Sequence, residues 1–114
     1  MILGRKCKVG SDSILLNSTV GDNCSIGNNV CIKDSILLDG VRVENGCQIQ
    51  GSIIARNVII QENVIVNSKS VLGDGVQVAR DSKINEETRL VASKASDGFS
   101  DDEEEGRLYY FSNE

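Results

Sequence analysis

Histidine, proline and tryptophan are all missing from this 114-residue chain, and aromatic residues make up only 4% of it. Without His, the chain lacks the usual general base and the usual nitrogen ligand for zinc. Without Trp and with two Tyr and two Phe, any core must be built from Ile, Val and Leu. No apolar run approaches the roughly 18 residues needed to cross a bilayer, and no apolar leader segment follows Met1. Neither a membrane partner nor secretion is expected. The four cysteines, Cys7, Cys24, Cys31 and Cys47, show no CxxC spacing. They are read as reduced thiols of a cytoplasmic protein.

Charge is unevenly placed. The net charge is -5. Residues 1–95 carry eleven Lys/Arg against ten Asp/Glu, whereas residues 96–114 carry seven acids against Arg107 alone. The acidity therefore belongs to the end of the chain. Neither part has the basic stripe that nucleic-acid binding requires, so no nucleic-acid partner is expected.

A repeat is present throughout the body. One aliphatic column runs Leu3, Val9, Leu15, Val20, Ile26, Ile32, Leu37, Val43, Ile49, Ile54, Ile60, Val66, Leu72, Val78, Ile84, Leu90. Its steps are six residues, shortened to five at 15→20, 32→37 and 49→54. Two residues before it lies a column of small or β-branched residues that includes Cys7, Cys24, Cys47, Ser18, Ser35 and Ser52. Residues two apart on a strand point the same way, so both columns are expected to face one interior. Three residues after the first column comes a series of Asp, Asn and Gly, the residues that tolerate a left-handed backbone. Ser18, Ser35 and Ser52 replace them at the shortened steps, so those corners must turn differently. Lys69 and Glu87 also break the series.

Three such faces close a triangle in 17 or 18 residues. The segments SILLDGVRVENGCQI from Ser35, SIIARNVIIQENVIV from Ser52 and SVLGDGVQVARDSKI from Ser70 align without gaps. The expected fold is all-β: a single-stranded left-handed parallel β-helix of about five triangular coils over residues 1–92, then a disordered acidic tail over residues 93–114. The left hand follows from similarity to hexapeptide-repeat proteins, because the usual crossover rule favours the opposite hand.

Candidate chemistry is sparse. Many enzymes with this repeat are acyltransferases with a histidine base, and related hydratases bind zinc through histidines. Both readings lose their central residue here. Cys7, Cys24 and Cys47 fall in the inward column and are read as packing, and Cys31 as an outward thiol with no base beside it. The fragments VGDN, IGNN and LGDG recur at turn spacing and lack GK[ST] or GxGxxG, so they are read as turns. No catalytic residue, metal site or cofactor is expected. In the tail, Ser100 precedes Asp101, Asp102 and Glu103 and is a candidate phosphoacceptor for an acidophilic kinase. Leu108–Phe111 forms an aromatic patch after the acids, with the exposed last coil as one possible docking surface.

The run from Ser18 to Val66 resembles the β-helix domain of the epsilon subunit of eukaryotic translation initiation factor 2B. The resemblance is carried by S-x-V-G-x-N-C-x-I-G-x-N-V-x-I from Ser18, GVRVENGCQIQGSII from Gly40, the later SVLGDGVQV and the FSDDEEE segment. It extends over roughly residues 7–105. The resemblance implies a non-catalytic scaffold domain within the guanine-nucleotide exchange factor for initiation factor 2. Implied partners are the other subunits, especially gamma, and initiation factor 2 through the full assembly. In that family a nucleotidyltransferase-like domain precedes the β-helix and a helical-repeat catalytic domain follows it. The chain holds neither and is read as a fragment or short form. The competing readings are a stand-alone structural β-helix like those at the pointed end of dynactin, and the C-terminal domain of a sugar-nucleotide pyrophosphorylase.

Overall fold

The computed structural model describes residues 2–91. Sixteen strands of two or three residues follow one another with no helix between them. They form three parallel sheets. The first holds Ile2–Leu3, Thr19–Val20, Ile36–Leu37, Ile53–Ile54, Val71–Leu72 and Arg89–Leu90 in that spatial order. The second runs Lys8–Val9, Ser25–Ile26, Arg42–Val43, Ile59–Ile60 and Gln77–Val78. The third runs Ile14–Leu16, Cys31–Lys33, Gln48–Gln50, Ile65–Val66 and Lys83–Ile84. Each coil contributes one strand to each sheet, so the chain winds as a triangular solenoid.

The pairing register matches the aliphatic column. Leu3 pairs with Val20, Val20 with Leu37, Leu37 with Ile54, Ile54 with Leu72 and Leu72 with Leu90. Like residues thus stack on like residues, and each strand inside a sheet hydrogen-bonds to the coils on both sides. Gly21 N donates to Leu37 O at 2.8 Å and Arg42 N to Val58 O at 2.9 Å. A proline in such a strand would remove one of these bonds and break the ladder, and none of the strands contains one.

The interior is aliphatic. From Val20 to Leu90 every member of the column is buried, as are Val30, Val41, Val58, Val64 and Val76 of the small column. Each buried aliphatic contributes about 1.5–3 kcal/mol of gross transfer energy. The start of the solenoid departs from the expected pattern. Leu3 is 47% and Val9 40% exposed, because no described coil stacks on the first one.

The corners follow two rules. At six-residue steps the third residue after the inward aliphatic takes positive φ, as at Asn23, Asn29, Asn57 and Asn63. Lys69 and Glu87, which break the Asn/Asp/Gly series, adopt this same conformation, with φ of 63° and 59°. Chain closure overrides residue preference there. At five-residue steps the left-handed residue comes one position earlier, at Asn17, Asp34 and Gly51. The serine that follows is buried. Ser35 N donates to Ser18 Oγ at 3.1 Å and Ser52 N to Ser35 Oγ at 3.1 Å. Ser18 Oγ in turn donates to Leu16 O at 2.9 Å. A serine ladder therefore supplies acceptors for backbone N–H groups at these corners, as Ser13 Oγ does for Val30 N at a six-residue step.

Candidate contact surface

Among the described residues, no three His, Cys, Asp or Glu come together as a metal site. The glycine fragments VGDN and IGNN lie in corners, where backbone N–H donors of each are used internally. Asp39 Oδ1 accepts from Asp22 N and Asn45 Oδ1 from Asn28 N, each at 2.8 Å. A Cβ at Gly21 or Gly27 would overlap these same side-chain oxygens. Glycine is needed there for close approach of the next coil, not to cradle a phosphate.

The inward cysteines do more than fill space. Cys24 Sγ donates to Leu38 O at 3.2 Å and Cys47 Sγ to Gln61 O at 2.9 Å. Ser13 Oγ makes the equivalent bond to Gly27 O at 2.7 Å. Burial pushes both the Cys24 and the Cys47 thiol above the ordinary value of 9.0. Such thiols stay protonated and are poor nucleophiles. Cys7, in the first coil, is half-buried and donates to Gly21 O at 3.0 Å. Cys31 lies in an outward row of the third sheet beside Gln48, half-buried, as the alternation of its strand requires. Ser100 and the patch Leu108–Phe111 lie outside the described residues.

What distinguishes the molecule is how differently its three outer faces are made. On the first sheet, the register aligns Ile2, Thr19, Ile36, Ile53, Val71 and Arg89 in one outward row. Ile2 is 64%, Ile36 43%, Ile53 44% and Val71 36% exposed. The row beyond the inward residues reads Gly4, Gly21, Leu38, Ala55, Gly73 and Val91. Arg89 is the one charge in the two rows.

The second sheet instead shows Lys8, Ser25, Arg42, Ile59 and Gln77, with Arg42 Nε 3.2 Å from Glu44 Oε2. Glu44 thus sits at the end of a strand in an exposed ion pair. The third shows Ile14, Cys31, Gln48, Ile65 and Lys83, flanked by Leu16, Lys33 and Gln50, with Ile14 and Leu16 each 53% exposed at the start of the stack. An aliphatic strip without a charge, beside two faces that interleave charged and amide side chains, is the composition of an interface core. Sequence reading missed it. The strip appears only when every third strand is compared at 17- or 18-residue spacing and the residue before each inward aliphatic is read as outward.

A parallel solenoid of hexapeptide turns, three strands to the coil, defines a β-helix domain. The chain belongs to the family described as the EIF2B subunit epsilon LbH domain, whose model matches residues 1–84. The fold is accordingly the left-handed β-helix. No characterised protein matches the chain significantly by sequence. Among solved structures, the acetyltransferase domain of PglB from Neisseria gonorrhoeae is similar at 12% identity and a TM-score of 0.53, over 80% of this chain and 51% of that one. A variant of perosamine N-acetyltransferase from Caulobacter crescentus, in complex with CoA and GDP-perosamine, is similar at 14% identity and a TM-score of 0.42, over 80% of this chain and 54% of that one. The chain spans about half the length of these proteins. At such identities the likeness concerns the fold alone.

Proposed function

We propose that the chain is the non-catalytic scaffold domain of a cytoplasmic exchange factor for translation initiation factor 2, and that it binds its neighbouring subunit, gamma above all, through the uncharged face of the first sheet. Family membership supports the setting. The single observation that carries the contact role is the strip Ile2, Ile36, Ile53 and Val71, exposed without a charge among them. A partner β-helix presenting a similar aliphatic row would bury these side chains and leave Arg89 at the rim. The lack of His argues for a structural role over acyl transfer, since the acyltransferase reading depends on a histidine base. Ser100 of the acidic segment is retained as a phosphoacceptor, tested by phosphate incorporation with an acidophilic kinase.

The test of the contact role is a pair of surface substitutions. Ile36→Lys with Ile53→Lys should leave the melting temperature within a few degrees, because both side chains already face solvent, and should abolish co-purification with the gamma subunit. Gln77→Lys on the second sheet should keep binding. Unchanged capture of gamma by the double variant would refute the assignment of this face.

A further inference from the structure

We propose that the segment Leu108–Phe111 of this same chain docks on the uncharged face of the first sheet, over Ile53, Val71 and Gly73, and masks it from a partner subunit. The masking rests on the reading of that face as the contact surface; the docking itself does not.

Four observations converge on this occupant. The last strand of the first sheet is Arg89–Leu90, and Val91 continues its outer row, 45% exposed. The described residues therefore end on this face, which is where the following segment starts. Sixteen residues, 92–107, separate Val91 from Leu108. Extended, they span up to about 50 Å, whereas strands are spaced about 4.8 Å apart, which puts Ile53 roughly 10 Å from the exit row. Reach is ample.

Composition supplies the complementarity. All four aromatic residues of the chain, Phe99, Tyr109, Tyr110 and Phe111, follow Val91, so residues 2–91 contain none. Ala55 and Gly73 add little bulk beside the outward Ile53 and Val71, so rings can lie against those aliphatic side chains. Tyrosine suits such a site, since its ring packs while its hydroxyl stays in water. The second sheet offers the Arg42–Glu44 pair and the third offers Lys33, Gln48 and Gln50, all of which a ring would have to desolvate.

Charge fixes the approach. Asp101–Glu105 stands between the exit point and the aromatics, and Arg89, the single charge of the outward row, lies in the exit row itself. A segment docked in this way would carry its acids past Arg89, the single cation of the two outer rows of this face. A charge pairing of this kind is exposed and weakens with salt, so the aromatic contacts hold the segment and the acids steer it.

The experiment is methyl NMR on the full 114-residue chain and on its Tyr109→Ala, Tyr110→Ala, Phe111→Ala triple variant. Ring currents should displace the Ile53 and Val71 methyl signals in the parent, independently of protein concentration. The displacement should vanish in the triple variant and shrink in Arg89→Glu. Superimposable spectra would overturn the docking. So would displacements that grow with concentration, which would mark a second copy, or displacements at Ile59 or Ile65 on the other sheets. Titration with the gamma subunit forms the second arm. Removing a mask that covers half to nine-tenths of the population should tighten binding roughly two- to tenfold. Displaced methyls in a chain that fails to bind gamma in either form would uphold the docking and sink the partner reading alone.

Discussion

Lys69 and Glu87 occupy left-handed corners where Asn, Asp or Gly stands in most coils. An L-residue with a Cβ is disfavoured there by roughly 1–2 kcal/mol, and Asn relieves part of that through its short polar side chain. Lys69→Asn and Glu87→Asn should therefore each stabilise the solenoid, by about 0.5–1 kcal/mol, read as a shift in urea midpoint at constant slope. A second residue-scale effect concerns the buried thiols. Their folded values lie above 9.0 because burial disfavours the thiolate. The unfolded chain releases these protons first as pH rises, so the thiols' contribution is intact below about 9 and declines above it. Urea midpoints at pH 8 and pH 10 should show this decline. Cys24→Ser with Cys47→Ser should flatten it, because serine at Ser13 already makes the same bond to the next coil.

At the scale of a strand or corner, the interior tolerates no charge while an outer position does. Ile49 is 1% exposed in the middle of the third sheet, between Ile32 and Val66. Ile49→Asp places an unpaired carboxylate there and should cost several kcal/mol, enough to unfold a domain of ordinary stability. Glu44→Lys loses only an exposed pair worth about 0–1 kcal/mol and should melt near the parent. Equal melting temperatures for these two variants would contradict the inward assignment. The serine ladder gives a subtler case. Ser35→Ala removes the acceptor of Ser52 N, a backbone group held inside a tight corner. About 1–3 kcal/mol should be lost, and Ser35→Thr should restore less than Ser because the corner is fully packed.

Taken whole, the molecule is a stack in which each coil touches only the coils next to it, so its stability is close to a sum of neighbouring interfaces. The first coil has one neighbour among the described residues. Its inward Leu3 and Val9 are 47% and 40% exposed, whereas Leu37, Ile54 and Leu72 of later coils are at 0%. Opening should therefore begin at the first coil. Amide exchange should show low protection at the amides of Gly4 and Gly10 and protection approaching the global value at Leu37, Ile54 and Ile60. Uniform protection along the stack would indicate a cover on the open end. That end also presents unpaired strand edges, which makes it the natural site of association when nothing covers it.

The sequence by itself determined the coil. A six-residue step in the aliphatic column, shortened to five at three places, dictates which residues turn inward, how many close a triangle and which coils align, because burial and strand alternation leave no other register. The corner rule was half legible: Asn, Asp and Gly announce a left-handed residue, but nothing local announces one at Lys69 or Glu87. Only the tertiary structure decided which outward residues become neighbours. Ile36 and Ile53 are 17 residues apart and Ile53 and Val71 are 18 apart, and no periodicity within one strand marks them as a set. They join in a single uncharged face because stacking, not sequence proximity, brings every third strand to the same side of the prism.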